Sequence, residues 1–231
     1  MNEELLSPTM LNTYMECPFK FFLLYVEKLR PFYSVRFRYG EEVHKIIREY
    51  YMMLYNGKTF TYSEIPLILS KIMHDLGTTE DVEESLKNFV EFEKDRLTWH
   101  YNSKPICVEQ KFTRPPFTGI VDVIFVKGNE KIVVDWKTGR IYDITKNDRL
   151  LVQSMIYLYI TQANRMYFVS LASGNVEEVK YDERYLKERV FHFYNGIKER
   201  KFFRNEGEKC SECEVNLHCY ARKYGVSYEE I

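Results

Sequence analysis

Two apolar, β-branched runs on either side of Gly128-Asn129 predict a β-hairpin, the feature that most limits how this chain can fold. The runs cover 121–126 and 131–135, and a glycine followed by an asparagine between such runs is typical of a two-residue turn of the primed type. A turn of this length pairs Lys127 with Glu130. The register of every other residue pair in the hairpin follows from that one pair.

In this register two carboxylates face each other. Asp122 lies opposite Asp135, and because side chains alternate along a strand, Lys137 shares their face. Opposed carboxylates repel each other, whereas a divalent cation between them removes the repulsion. Mg²⁺ and Mn²⁺ favour one or two carboxylates with water and substrate phosphate, so this face is a candidate metal site. The other face is apolar, through the pairs Val121–Trp136, Val123–Val134 and Phe125–Ile132.

The alternative is a solvated sheet face on which these charges are incidental. Ile124 and Val133 share the face with the acids, and their apolar side chains predict partial burial instead. Glu109, on the preceding predicted strand, is a further acid that could assist a metal.

Composition is that of one compact α/β protein. The 231 residues are 45% hydrophobic and carry a formal net charge of −1, so any nucleic-acid surface must be a local one. Met1–Glu4 is acidic and no long apolar run follows, which predicts neither a signal peptide nor a membrane span. We therefore expect a cytoplasmic protein without a membrane partner.

Periodicity and capping signals predict a three-layer α/β arrangement. The predicted helices cover 8–16, 19–29, 37–56, 63–76, 81–100, 150–162 and 182–201, and the predicted strands cover 106–112, 118–126, 131–136, 166–171 and 176–181. A cysteine-bearing tail follows the last helix.

The cysteines indicate a second metal centre. Cys210-x2-Cys213-x5-Cys219 places three thiols close together, and Cys17 supplies a fourth from the other end of the sequence. Four thiolates can hold zinc or an iron–sulfur cluster, and spacing alone does not decide between them. His218 is a rival ligand, and Cys107, on a predicted strand, is expected to be a small buried apolar residue. Such a centre would act as a clasp that closes a loop of nearly two hundred residues.

The order of these motifs resembles the RecB-like nucleases of the PD-(D/E)xK superfamily, in the branch that holds an iron–sulfur cluster. That branch includes the AddB nuclease domain and the CRISPR-associated RecB-like exonucleases. The matching segments are Ser7–Phe21 with the first cysteine, Gly40–His44 as the histidine motif, Gly119–Asp122 as G-x-x-D, Asp135–Lys137 as D-x-K, Gln153–Tyr157 as Q-x3-Y, and the cysteine tail.

The resemblance implies a restriction-endonuclease-like core, with a central mixed sheet and flanking helices, a helical N-terminal region and a C-terminal iron–sulfur tail. It implies one nuclease domain over 1–231. Within that domain, 1–104 would be mainly helical, 105–201 would form the catalytic core and 202–231 would bind the cluster.

The resemblance also implies roles for single residues. His44, Asp122, Asp135 and the Trp136 carbonyl would bind Mg²⁺ or Mn²⁺, and Lys137 would orient water or stabilise the transition state. Gln153 and Tyr157, four apart on one helix face, would contact DNA or support Lys137, with packing of the helix as the alternative. The ligands of a 4Fe–4S cluster would be Cys17, Cys210, Cys213 and Cys219.

Contacts with DNA are less defined by the sequence. Lys20, Arg36 and Arg38, interleaved with aromatic residues, are candidates for a stacking and phosphate-binding groove. A solvated face over an aromatic core is the alternative. The basic residues Lys198, Arg200, Lys201 and Arg204 form another such cluster.

We expect a metal-dependent DNA exonuclease that acts on single-stranded ends. Its setting would be CRISPR spacer acquisition or DNA repair and recombination, with adaptation proteins or a helicase as partners. The alternative is a non-catalytic DNA-binding or scaffold subunit of a helicase–nuclease or adaptation complex. The intact set of His44, Asp122, Asp135 and Lys137 argues against that alternative.

Overall fold

The computed structural model describes residues 5–31, 38–79, 81–98 and 104–225. The chain divides into two compact units, Met1–Arg36 with Glu183–Ile231, and Phe37–Asp182. The expectation of one nuclease domain over 1–231 stays a prediction, since compactness alone does not show which part folds by itself.

The unit over 37–182 is built on a five-stranded mixed sheet in the order β1-β2-β3-β4-β5. Its strands are β1 Cys107–Arg114, β2 Phe117–Lys127, β3 Glu130–Lys137, β4 Arg165–Ser170 and β5 Val176–Lys180, and its helices are α3 Arg38–Tyr55, α4 Ile65–Leu76, α5 Glu83–Arg96 and α6 Asp148–Thr161. Only β3 and β4 pair in parallel, across the connection that contains α6. The expected α/β class is confirmed, and the mixed sheet with flanking helices is consistent with a restriction-endonuclease-like core.

The central hairpin has the predicted register. Lys127 pairs with Glu130, and Gly128 takes the left-handed φ of 62° that such a turn requires at its first central residue. The regular β2–β3 ladder runs from there to the Val123–Val134 pair. One step further, at the predicted Asp122–Asp135 pair, the regular ladder does not continue. The next contact there is made by the Asp122 side chain, with the Trp136 N–H.

Both faces of this hairpin are buried. On one face Val123, Phe125 and Trp136 pack into a core with residues of α3, α4 and α5. On the other face Ile124 and Val133 are only 2% and 0% exposed, and α6 packs against β1 and β2. The acids of β2 and β3 therefore do not belong to a solvated sheet face.

A buried charged pair lies behind Trp136. Tyr51 stacks on the Trp136 ring, with the centroids 5.7 Å apart, and its hydroxyl donates to Glu93 at 2.5 Å. Glu93 in turn pairs with Arg96, and both are buried. Because each member is satisfied by another, these contacts connect α3 and α5 to Trp136.

The other unit is mainly helical. Its helices are α1 Pro8–Glu16, α2 Pro18–Phe21, α7 Glu183–Tyr185, α8 Phe191–Lys198 and α9 Asn216–Tyr224, with π-helical turns at Phe22–Val26 and Leu186–Val190. Ser7 caps α1 as predicted, by accepting from the Met10 N–H at 3.2 Å.

Three expectations for this unit need correction. The predicted helix over 19–29 is one α-helical turn followed by a π turn that ends at Val26. The predicted helix over 182–201 contains a π turn, Leu186–Val190, and ends at Lys198. The cysteine tail contains a helix, α9, which begins at Asn216. It is only nine residues long, shorter than the stretch over which helical periodicity is read, so the sequence did not reveal it.

Among the helices in the described part of the chain, none is long and apolar enough to span a membrane.

Candidate functional site

One end of the β2–β3 hairpin gathers the predicted catalytic residues. Asp122 accepts a hydrogen bond from the Trp136 N–H at 3.0 Å, which brings its carboxylate across to β3. His44, nearly two turns into α3, places Nδ1 3.6 Å from the same Asp122 oxygen, Oδ2. Two separate elements, β2 and α3, thus bring candidate metal ligands close to one point. The Trp136 carbonyl stays a prediction as a metal ligand; besides its N–H contact with Asp122, the Trp136 backbone also hydrogen-bonds to His44.

Asp135 is the buried member of the site. Gln153 of α6 donates from Nε2 to Asp135 Oδ1 at 2.7 Å, and Lys137 places Nζ 2.5 Å from Oδ2. Oδ2 is buried, and the cation described next to it is the Lys137 ammonium. A buried carboxylate needs a positive charge beside it, and Lys137 supplies one here.

The electrostatics of the site suit a metal. Burial raises the pKa of Asp122 to about 8. The charge of Asp135 adds to this shift, because two adjacent carboxylates resist ionising together. Burial lowers the pKa of His44, which favours the neutral imidazole that ligates metals. A divalent cation would reverse the penalty on Asp122 by stabilising its ionised form.

The G-x-x-D and Q-x3-Y segments pack against each other at Gly119 and Tyr157. A Cβ on Gly119 would lie 2.7 Å from Cε1 of Tyr157, so β2 and α6 pack closely only because this residue has no side chain. Tyr157 is 8% exposed, and burial raises its pKa. Tyr157 therefore packs α6 against β2, the strand that carries Asp122.

Gly119→Ala should therefore destabilise the protein by about 1–3 kcal/mol, because Tyr157 or the strand must move. Urea unfolding measures this loss. Gly139→Ala is the matched control, since a Cβ there would meet nothing within 4 Å. Equal stabilities for the two variants would contradict the packing role of Gly119.

Arg48 is a neighbour of the site that the sequence did not reveal. It lies one turn after His44 on α3, and its Nε is 3.2 Å from Glu109 Oε2. Glu109 has a left-handed φ of 41°, uncommon for a residue with a side chain. The spacing of four between His44 and Arg48 was the one available signal. Glu109 is held by an arginine here, and its assistance to a metal stays a prediction.

The four predicted cluster cysteines line one cavity of about 470 Å³ in the helical unit. All four are free thiols, from Cys17, Cys210, Cys213 and Cys219. Two backbone N–H groups point at sulfur: Asn205 donates to Cys17 at 3.5 Å and Gly207 donates to Cys210 at 3.4 Å. Such donors stabilise thiolates and cluster sulfurs.

The remaining thiol and the rival histidine have other surroundings. Cys107 is buried in β1, and burial raises its pKa to about 11, so it is an unreactive core residue. His218 places Nε2 2.9 Å from the Arg30 carbonyl. As the side chains stand, no three His, Cys, Asp or Glu groups among the described residues are close enough together to hold a metal ion.

The three predicted DNA contacts are not brought together by any described contact. Lys20 lines the cysteine cavity and pairs with Glu16 and Glu214, both at 3.4 Å. Arg38 is exposed at the start of α3, and Arg36 lies outside the described residues. Their contact with DNA stays a prediction.

Comparisons with known proteins agree with the motif order. A model described as the PD-(D/E)XK nuclease superfamily matches residues 5–220. No curated protein matches the chain. A solved structure titled "Crystal structure of SSO0001" is 14% identical, and the match covers 91% of this chain and 94% of that one with a TM-score of 0.37. Because the family model spans nearly the whole chain, the protein belongs to the PD-(D/E)XK nuclease superfamily.

Proposed function

We propose that this protein is a metal-dependent DNA nuclease of the RecB-like type, and that it acts as an exonuclease on single-stranded ends. The observation that carries the proposal is that Asp135, Lys137 and the Asp122–His44 pair converge at one end of the hairpin. Two adjacent carboxylates repel each other, and a bound metal ion would offset that cost.

The donor set fits Mg²⁺ or Mn²⁺. His44, Asp122 and Asp135 would hold the ion, two of them with hard carboxylate oxygens. The bound ion would supply an activated water and would offset negative charge on the phosphate.

The chain's own residues supply orientation and charge. Gln153 fixes one Asp135 oxygen, which leaves the other for the ion or for Lys137. Lys137 carries its ammonium 5.5 Å from the centre of the Phe168 ring, in a partly buried position where a positive charge acts strongly on a developing negative one. Lys137 would thus position the water or stabilise the crowded phosphate of the transition state.

The cysteine cavity supports a 4Fe–4S cluster as the second cofactor. Four thiols line it and two backbone N–H groups donate to sulfur, which is the chemistry that such a cluster uses, with zinc as the competing occupant. The thiols would have to move closer together to hold either metal. The segments that carry the thiols are already joined, since Phe19 N–H donates to the Phe203 carbonyl at 3.0 Å. Iron analysis and visible absorbance of anaerobically purified protein distinguish the two metals.

Two biological settings agree with this activity: trimming of spacer precursors in CRISPR adaptation, and DNA repair or recombination. Either would involve a partner such as an adaptation protein or a helicase.

The deciding experiment is cleavage of single-stranded DNA, labelled at either end, by anaerobically purified protein. We expect degradation with Mg²⁺ or Mn²⁺ and none with chelator, and the order of products gives the polarity. A circular single strand is the control, because an exonuclease leaves it intact. Cleavage of the circle would contradict the exonuclease proposal, and folded protein that cleaves neither substrate would favour the scaffold alternative.

A further inference from the structure

The segment that follows Lys137 borders an open depression of about 280 Å³ against the site. Its lining includes His44, Lys137, Arg140 and Ile141. A strand whose phosphate lies at Lys137 would be close to this segment, because both line the same depression.

Two hydrogen bonds from side chains anchor the backbone of this segment. Ser170 donates from its hydroxyl to the Gly139 carbonyl at 3.0 Å, and Asn175 donates from Nδ2 to the Ile141 carbonyl at 3.4 Å. Ile141 and Ile144 are each only 5% exposed, so the segment is anchored by apolar contacts as well. A backbone held at these points presents its intervening side chains in a defined direction.

Arg140 and Tyr142 flank the buried Ile141, and both are exposed. Tyr142 is 79% exposed, which leaves a large aromatic ring in water on an anchored segment. Arg140 is exposed, and no hydrogen bond or ion pair from the described residues accounts for its guanidinium. The neighbouring acid, Asp143, is paired with Lys146 at 3.1 Å and so repels a passing phosphate less.

We infer that Arg140 and Tyr142 form the contact for the single strand beside the catalytic centre, an inference that rests on the proposed nuclease function. Arg140 binds a backbone phosphate, and Tyr142 stacks on an unpaired base. A cation and an aromatic face together are the usual means of holding a strand without reading its sequence. Bases of an intact duplex are already stacked, so Tyr142 distinguishes single-stranded from double-stranded substrate.

Binding of labelled single-stranded DNA and of a blunt duplex, measured by fluorescence anisotropy in chelator, tests this inference. Tyr142→Ala should weaken single-strand binding about 5- to 100-fold and leave duplex binding unchanged, whereas Tyr142→Phe should bind as the wild type does. Arg140→Ala should weaken binding and make the slope of log affinity against log salt shallower by about 0.7, and Arg140→Lys should restore the slope.

Tyr55→Ala and Lys71→Ala, which change an exposed tyrosine and an exposed lysine on α3 and α4, are the matched controls. The inference is overturned if the Tyr142 and Arg140 variants bind like these controls, if Tyr142→Phe is as weak as Tyr142→Ala, or if the wild type does not bind single strands. Failure of the nuclease proposal would appear separately, as an absence of metal-dependent cleavage by the wild type in the assay above.

Discussion

Lys137→Ala should lower the cleavage rate about 100- to 1000-fold at saturating metal, while the protein stays folded and still binds DNA. The ammonium is the positive charge 2.5 Å from Asp135, and no other side chain described at Asp135 is cationic. Single-turnover cleavage of end-labelled single strands, in a titration of Mg²⁺, measures the effect.

The titration separates two roles for this lysine. If Lys137 only neutralised Asp135, its loss would change the metal concentration needed and leave the rate at saturation near that of the wild type. If it acts on water or phosphate, the rate at saturation stays low. Lys131→Ala is the control, because Lys131 is an exposed lysine on the same strand. An Lys137→Ala variant that cleaves at the wild-type rate would remove this residue from the catalytic site.

If the cavity holds the proposed cluster, Cys213→Ala should eliminate it and with it the link between the two ends of the helical unit. In the chain-entropy model, releasing a loop of nearly two hundred residues costs about 5 kcal/mol of stability. For a protein of this size that corresponds to a melting temperature lower by about 10–20 °C. Iron content, visible absorbance and thermal unfolding of anaerobic protein together measure the loss.

The matched control for this variant is Cys107→Ala, which removes a buried thiol in β1. It should retain the iron and the absorbance, at the modest cost of a small cavity. A Cys213→Ala protein that keeps both its colour and its melting temperature would contradict the clasp. Iron-free wild-type protein that contains zinc would replace the cluster by a zinc site.

Local rules were sufficient for the hairpin and for the first helix. A glycine that accepts a positive φ, set between two β-branched runs, determines the Lys127–Glu130 pair and every pair after it as far as Val123–Val134. Ser7 followed by proline likewise determines where α1 begins. In both cases a few adjacent residues carry the whole signal, which is why the sequence predicts them.

Other features depend on contacts that no local pattern encodes. The sequence placed Asp122 opposite Asp135, but only the structure shows that the Asp122 carboxylate accepts from the Trp136 N–H beyond the regular ladder. Helix α9 is only nine residues long, too short to be stable in isolation, so it depends on packing within its unit. In the sequence, Arg48 is one basic residue on an amphipathic helix. Its pairing with Glu109 depends on the packing of α3 beside β1.

By itself, the sequence determined the hairpin register, the face shared by Asp122, Asp135 and Lys137, and the cysteine spacing, because strand alternation and turn chemistry act over a few residues. Only the tertiary structure decided that His44 and Gln153 reach those acids, that Gly119 makes room for Tyr157, and that Cys17 shares a cavity with thiols nearly two hundred residues away. Those contacts join distant segments, and their geometry is fixed by the packing of whole helices on the sheet and on each other.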